Sequence, residues 1–372
     1  MKLGTRALGP FFVVLLLSTG GVGGLAADQP LALPPGQPWG NPRQELDASS
    51  PIESRIRDAA QPVYSALDHF RRREVGPPDP RPAEGNTPVP QRIFSFRDLT
   101  RQPVGPLRGP EPRPHALTEV ERLKWKAAIE LLPPRQWRVL TKRLRSVNFL
   151  DNMPVGGMVL PAESSGPDPL YDIAISAAVL AKTALEWLTE KERSIFRGEN
   201  SPMTVKVNAG PNLEAIAYVL LHEATHVVDQ CERITEGPLT PISLSFFGLM
   251  TEGPPTHPFL AGIWTNRWKP QSRYLDARRN RIRFYEVGGA ISANEILSAY
   301  WSLAETPFVS LYSGRNAMED LAEYATVFHL TEIMHQPFRI EIFIKGVKIQ
   351  DYEPMRSHLV RSRIDSMKHF YE

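Results

Sequence analysis

Residues 213–231 read LEAIAYVLLHEATHVVDQC and carry the clearest periodic pattern in the chain. Apolar side chains recur at helical spacing along this stretch, at Leu213, Ile216, Ala217, Leu220, Ala224, Val227, Val228 and Cys231. A stripe of this kind predicts a helix that packs in the core of the protein. Asn212 stands where the N-cap of that helix is expected.

A second set of side chains on the same predicted helix is polar and forms an H-E-x-x-H motif. His222 and His226 are four positions apart, so both imidazoles point into the same space, and two nitrogens at this spacing can bind one zinc ion. Glu223 lies beside them, where it could take a proton from a water and pass it to a leaving amine. The alternative is a pair of histidines on a helix surface with Glu223 in solvent.

A zinc site needs a third protein ligand. Residues 311–325, LYSGRNAMEDLAEYA, predict a helix with Glu319 and Glu323 on one face, so that one carboxylate could bind the metal while the other braces a ligand. Glu319 also stands where it would pair with Asn316 as an N-cap, which does not exclude metal binding. The weaker candidates for the third ligand are Glu232, His257 and Glu295.

Together, HEATHVVD and Glu319-Asp320-Leu321-Ala322-Glu323 resemble the lethal-factor-like branch of the H-E-x-x-H zinc metallopeptidases, a gluzincin-like group. That branch holds the anthrax lethal-factor catalytic domain and the Mlc titration factor peptidases. The resemblance implies that Glu319 is the third ligand, with Glu323 bracing a ligand beside it. It also implies that Tyr312 stabilises the oxyanion or protonates the leaving group. Asp229 would fix a ligand imidazole, with an exposed helix carboxylate as the alternative.

The remaining patterns predict a helix-rich α+β domain, and the resemblance implies a zincin-like fold with a small sheet beside the H-E-x-x-H helix. Predicted helices cover 118–133, 135–147, 183–196, 292–303, 316–334 and 354–370. Strands are predicted at 171–180 and 203–207, with a hairpin turn at Lys345-Gly346. Residues 154–169, rich in Gly, Pro and Ser, are expected to form a loop.

The order of segments predicts an exported protein. Residues 1–27 combine Lys2 and Arg6, an apolar run and a small-residue cleavage site, which is typical of a signal peptide; an uncleaved anchor is the alternative. Residues 28–115 hold 18 of the 36 prolines and are expected to be largely extended or disordered. The domain itself is expected at 116–372. We therefore expect a periplasmic or secreted protein without a membrane span after cleavage.

Composition removes several classes of function. The 43 basic and 41 acidic residues leave a net charge of +2, which does not favour nucleic acid as a partner. The single cysteine, Cys231, excludes an internal disulfide and a cysteine-rich zinc site. The basic run 278–283 is interpreted as a solvated face rather than a clamp for acidic substrates. The aromatic residues between 246 and 301 could form either core or a substrate groove.

The sequence therefore predicts an exported zinc-dependent metallopeptidase that acts on a peptide or protein substrate. The alternative is an exported binding or assembly protein with a structural or vestigial zinc site. Residues 28–115 could in addition cover the cleft as an inhibitory segment.

Overall fold

The computed structural model describes residues 110, 112–162, 168–198, 201–237, 239–241, 250–282, 284 and 291–372. The predicted signal peptide and nearly all of the Pro-rich segment lie outside these residues. Within them, no helix is long and apolar enough to cross a membrane.

The described chain is α+β, as predicted. Its helices are α1 (Glu119–Glu130), α2 (Pro134–Arg143), α3 (Ala184–Arg193), α4 (Ala215–Glu232), α5 (Ile296–Ala304), α6 (Ala317–Phe328) and α7 (His358–Arg361). Its strands are β1 (Arg113–Pro114), β2 (Leu144–Asp151), β3 (Gly157–Ala162), β4 (Leu170–Ser176), β5 (Phe196–Arg197), β6 (Met203–Asn208), β7 (Leu239–Pro241), β8 (Met250–Glu252), β9 (Trp264–Asn266), β10 (Lys269–Pro270), β11 (Ile291–Ser292), β12 (Arg339–Ile344) and β13 (Val347–Tyr352).

A four-stranded sheet lies beside α4 in the order β1-β2-β4-β3. Strands β2 and β4 are parallel, whereas β3 runs antiparallel to β4. Among the described residues β3 pairs with β4 alone, so it forms one edge of the sheet. A smaller antiparallel sheet has the order β13-β12-β6. Its β12–β13 hairpin turns at Lys345 and Gly346, as predicted, and both residues have positive φ angles, 48° and 80°.

Helix α4 lies at the centre of the domain. Fourteen of its eighteen residues are buried, and α1, α2, α3 and α6 pack around it. A helix buried on nearly every side carries few polar residues unless their partners are also inside. The polar side chains of α4 must therefore find those partners on neighbouring elements.

Local capping explains where several helices begin. Thr118 and Thr183 form capping boxes with Glu121 and Glu186, three residues further on. Asn316 caps α6 by accepting a hydrogen bond from the backbone N–H of Glu319 at 2.9 Å. The predicted N-cap Asn212 is wrong by two residues, because α4 begins after Glu214.

Other predicted boundaries are also wrong where pairing between strands decides the structure instead of local sequence preference. The expected loop 154–169 contains β3, and the expected helix 135–147 ends at Arg143 because the next residues pair with β4 as strand β2. The predicted last helix, 354–370, is broken into α7 and short 3-10 turns. Beyond α6, residues His329–Ile333 form a π-helical turn.

The C-terminal segment is joined to α6 by a buried ion pair. Arg363 Nη1 lies 2.6 Å from Asp320 Oδ2, and both side chains are at most 3% exposed. Asp320 also accepts a 2.9 Å hydrogen bond from the Trp264 indole. These contacts hold α6 between the C-terminal segment and the loop that contains β9.

Replacing Arg363 with Ala leaves Asp320 buried without its cation. We expect Arg363→Ala to lower the free energy of unfolding by about 3–5 kcal/mol, measured by urea denaturation of the metal-free protein. Arg356→Ala removes an exposed ion pair with Glu353 and is the control, with an expected effect below about 0.5 kcal/mol. A comparable effect of the two substitutions would contradict this account.

Candidate metal centre

Helices α4 and α6 bring three potential ligand atoms together. His222 Nε2 lies 3.1 Å from both His226 Nε2 and Glu319 Oε2, and the distance from His226 Nε2 to Glu319 Oε2 is 3.4 Å. Among the described residues, this is the one group of three or more His, Cys, Asp or Glu side chains arranged to hold a metal ion. The candidate ligands His222, His226 and Glu319 therefore meet in space.

The spacing and chemistry of this group fit a tetrahedral metal. Zinc bonds of about 2.0–2.1 Å to nitrogen and oxygen place two ligand atoms about 3.3 Å apart in a tetrahedron. The three separations of 3.1–3.4 Å agree with that value. Two imidazoles and one carboxylate are also a ligand set that leaves a fourth position for a water or a substrate atom.

The N-cap Asn316 leaves the side chain of Glu319 available to the candidate metal centre. Its side chain binds the backbone N–H of Glu319, so the Glu319 carboxylate is free to face α4. The carboxylate lies between the two imidazoles and the phenol of Tyr312, whose hydroxyl is 3.2 Å from Glu319 Oε1. The capping position and the metal position of Glu319 are thus compatible.

Glu323 lies one turn further along α6 and contacts the outer side of the same site. Its Oε1 is 3.2 Å from His222 Nδ1 and 2.9 Å from Lys191 Nζ. Its Oε2 accepts a 2.7 Å hydrogen bond from Ser310. The carboxylate predicted to brace a ligand therefore does approach His222.

The electrostatics of the centre favour charged groups despite their burial. Burial alone would lower the pKa of His222, but the carboxylates of Glu319 and Glu323 raise it to about 9. Burial would raise the pKa of Glu319, but the two histidines hold it well below its usual range. Without a metal, His222 thus carries a proton opposite ionised carboxylates.

Glu223 points towards the edge strand rather than into solvent. It is 5% exposed, and burial raises the pKa of its carboxyl group. A Cβ built on Gly157, the first residue of β3, would lie only 2.5 Å from Glu223 Oε1. Gly157 is therefore needed for β3 to pass this close to Glu223.

Asp229 does not contact a ligand imidazole through a hydrogen bond. Its two carboxylate oxygens accept hydrogen bonds from the backbone N–H of Thr235 at 2.8 Å and from the Thr235 hydroxyl at 2.7 Å. The side chain is buried, so the alternative of an exposed helix carboxylate is also wrong. Asp229 instead stabilises the chain just after α4, where Arg233 has a positive φ of 57°.

The weaker candidates for the third ligand have other partners. Glu232 binds Arg135 and His369, while Glu295 caps the turn at Ser292 and pairs with Arg281. His257 lies beside His369, with 6.3 Å between the ring centroids. None of these three side chains belongs to the metal-competent group among the described residues.

The aromatic stretch and the basic run also have structural roles. Phe259, Trp264 and Tyr300 are at most 1% exposed, so these three belong to the core. Phe246 and Phe247 lie outside the described residues. Arg279 donates hydrogen bonds to three backbone carbonyls, those of Trp268, Gly314 and Arg315. Arg278 pairs with Asp276, so neither arginine supports a clamp for acidic substrates.

Lys191, Ser310 and Gly157 are residues of the site that the sequence patterns do not indicate. Lys191 lies on α3, far from the other site residues in sequence, and no motif indicates its position. A Gly at the start of an unrecognised strand likewise gives no local signal of an approach to Glu223.

Searches against protein-family models, curated proteins and solved structures find no match to this chain.

The raised pKa of His222 predicts how the stability of the metal-free protein depends on pH. A histidine whose pKa is about 9 in the folded protein and 6.5 in the unfolded chain stabilises the fold fully below pH 6.5, and this contribution is lost as the pH rises through 9. We expect the free energy of unfolding to fall by at most about 3 kcal/mol over that range, measured by urea denaturation. His222→Ala should abolish this fall, whereas replacement of the exposed His358 should not. Equal slopes in wild type and His222→Ala would contradict the assignment.

Proposed function

We propose that this chain is a zinc-dependent metallopeptidase with a zincin-like domain. The observation that carries the proposal is the convergence of His222, His226 and Glu319, with separations of 3.1–3.4 Å between their ligand atoms. A buried carboxyl group, Glu223, directly follows the first of these ligands on α4. Hydrolysis by a metal-activated water uses three protein ligands, an open position for the water and a general base beside it. The two imidazoles, the Glu319 carboxylate and Glu223 fit these roles.

The metal would be held by His222, His226 and Glu319. When bound, zinc lowers the pKa of a water and polarises the scissile carbonyl. Glu223 accepts the proton that the attacking water loses and returns it to the nitrogen of the leaving amine. Burial raises the pKa of Glu223 above the usual range of a glutamate. A carboxyl group with a raised pKa is better suited to accept a proton and then to donate it.

Tyr312 would support the same reaction from α6's side of the site. Its hydroxyl lies 3.2 Å from Glu319 Oε1, and its ring centroid is 6.0 Å from that of His222. A phenol held here can donate a hydrogen bond to negative charge that develops on the carbonyl oxygen.

The edge strand β3 favours an extended peptide as substrate. Its outer edge is unpaired by any described strand, and its first residue lies against Glu223. A peptide that added to this edge as a further strand would pass beside the general base. Export to the periplasm or beyond, and inhibition by residues 28–115, are predictions that concern residues nearly all outside those the structure describes.

The first test is the metal content of the purified protein, measured by mass spectrometry after reconstitution with zinc. We expect about one zinc per chain in the wild type, and loss of zinc from His222→Ala and Glu319→Ala. Glu232→Gln is the control on the same helix and should retain zinc. Zinc lost from His222→Ala alone would move the third ligand elsewhere, and a folded wild type without zinc would overturn the proposal.

The second test separates catalysis from metal binding. Glu223→Gln should retain zinc and lower kcat towards a quenched-fluorescence peptide by about 10²–10⁴-fold, because the attacking water loses its base. Tyr312→Phe should also retain zinc, with a loss of about 10²-fold. Full peptidase activity in Glu223→Gln would exclude this mechanism and favour the binding or assembly protein.

A further inference from the structure

Lys191 is a buried lysine in the middle of α3. Its side chain is 2% exposed, and its ammonium group pairs with Glu323, whose side chain is 1% exposed. Lysine is seldom fully buried, since removing an ion from water costs several kcal/mol. A buried ion pair therefore does not by itself indicate that Lys191 stabilises the fold. Since the pair lies beside the candidate metal centre, we consider a role for Lys191 in that centre.

The ammonium group is surrounded by aromatic rings. Its Nζ lies 4.0 Å from the ring centroid of Tyr312, a distance at which a cation is attracted by the face of the ring. Three further rings lie 5.5–5.9 Å away, those of Trp187, Tyr218 and Phe284. Lys191 thus makes one ion pair and otherwise faces ring surfaces, which restricts where its charge can lie.

Both principal partners of Lys191 lead to the metal centre. Glu323 lies between Lys191 and His222 Nδ1, the nitrogen that does not face the other candidate ligands. Tyr312 lies between Lys191 and Glu319 Oε1. A single ammonium group is therefore linked to two of the three candidate ligands by two separate side chains.

Glu323 has one further partner that strengthens this arrangement. Ser310 donates to its Oε2 and also accepts a hydrogen bond from the backbone N–H of Ser313. The turn between these two serines contains Tyr312. The orientation of Glu323 and the position of Tyr312 are consequently coupled through the same turn.

We infer that Lys191 is a positioning residue for the metal centre: its ammonium group fixes the Glu323 carboxylate against His222 and the Tyr312 ring beside Glu319. This inference rests on the proposed function, and it assigns to α3 a part in a site whose ligands come from α4 and α6. Outer partners of metal ligands orient the ligands, and their loss commonly weakens metal binding 10–100-fold.

The first arm of the test measures zinc affinity and needs no substrate. Lys191→Met keeps an unbranched side chain that is one atom shorter and removes its charge, and we expect it to weaken zinc binding about 10–100-fold in competition with a chromogenic chelator. In a Glu323→Gln background, the same substitution should weaken zinc binding less than it does in the wild type, since the path to His222 is already broken and the path through Tyr312 alone remains.

The second arm measures kcat and KM in a Glu323→Gln background, where Lys191 has lost its ion pair but still faces the Tyr312 ring. Lys191→Met together with Glu323→Gln removes both charges, so this variant is folded more readily than Lys191→Met alone. Relative to Glu323→Gln, we expect it to lose at least about tenfold in kcat, with KM changed less than about threefold. Adding Tyr312→Phe to both variants should abolish that difference, because the remaining path runs through the phenol.

A purely structural ion pair gives a different result. Lys191→Met would then lower the thermal unfolding midpoint but leave the zinc dissociation constant and kcat within twofold of the wild type, which would overturn the inference. Arg145→Met, which breaks the pair with Asp172 on the sheet, controls for a loss of stability and should leave zinc affinity unchanged. If the wild type binds zinc but cleaves no peptide, the proposed function fails, and the zinc arm alone still decides the role of Lys191.

Discussion

The contact between α4 and α6 is the constraint on which the rest of the structure depends. It places two imidazoles and two carboxylates against one another away from most solvent, at the centre of the domain. Buried ionisable groups are tolerated only where their charges are compensated. In the metal-free protein, a proton on His222 and the ammonium of Lys191 supply positive charge opposite Glu319 and Glu323. A divalent cation that displaced the proton would supply it instead.

A second buried carboxylate is compensated by a cation one residue further along α6. Glu319 faces α4, whereas Asp320 faces a different side of α6 and is paired with Arg363 and Trp264. The two acidic neighbours are therefore satisfied by different parts of the chain. Arg363 also lies over the rings of Phe259 and Tyr324, 4.2 and 4.5 Å from their centroids. The C-terminal segment thereby fixes the rotation of α6 about its axis, and with it the direction of the Glu319 carboxylate.

Much of this centre could be predicted from the sequence because its ligands obey helical spacing. Two histidines four positions apart must lie on one side of α4, and Glu319 and Glu323 must share one side of α6. Asn316 also gave a local signal for the start of α6. Strands β2 and β3 gave none, since their residues are held by pairing with β4 rather than by local preference. The role expected for Asp229 failed for a related reason: Thr235 offers two donors at the end of α4, a contact that no helical period reveals.

The position of β3 bears on where a peptide substrate would lie relative to Glu223. Because side chains alternate along a strand, Gly157 and Val159 face the same side of the sheet, towards α4, while Met158 and Leu160 face the other side and pack with Leu150 and Ala174. The apolar contacts of that second side anchor β3 on the sheet, so its approach to Glu223 does not depend on contacts at the centre itself. Under the proposed function, a peptide added to the outer edge of β3 would pair with it as a further strand. The sheet would then set the distance between the backbone of the peptide and Glu223. The absence of a side chain at Gly157 is what lets β3 itself lie this close to Glu223.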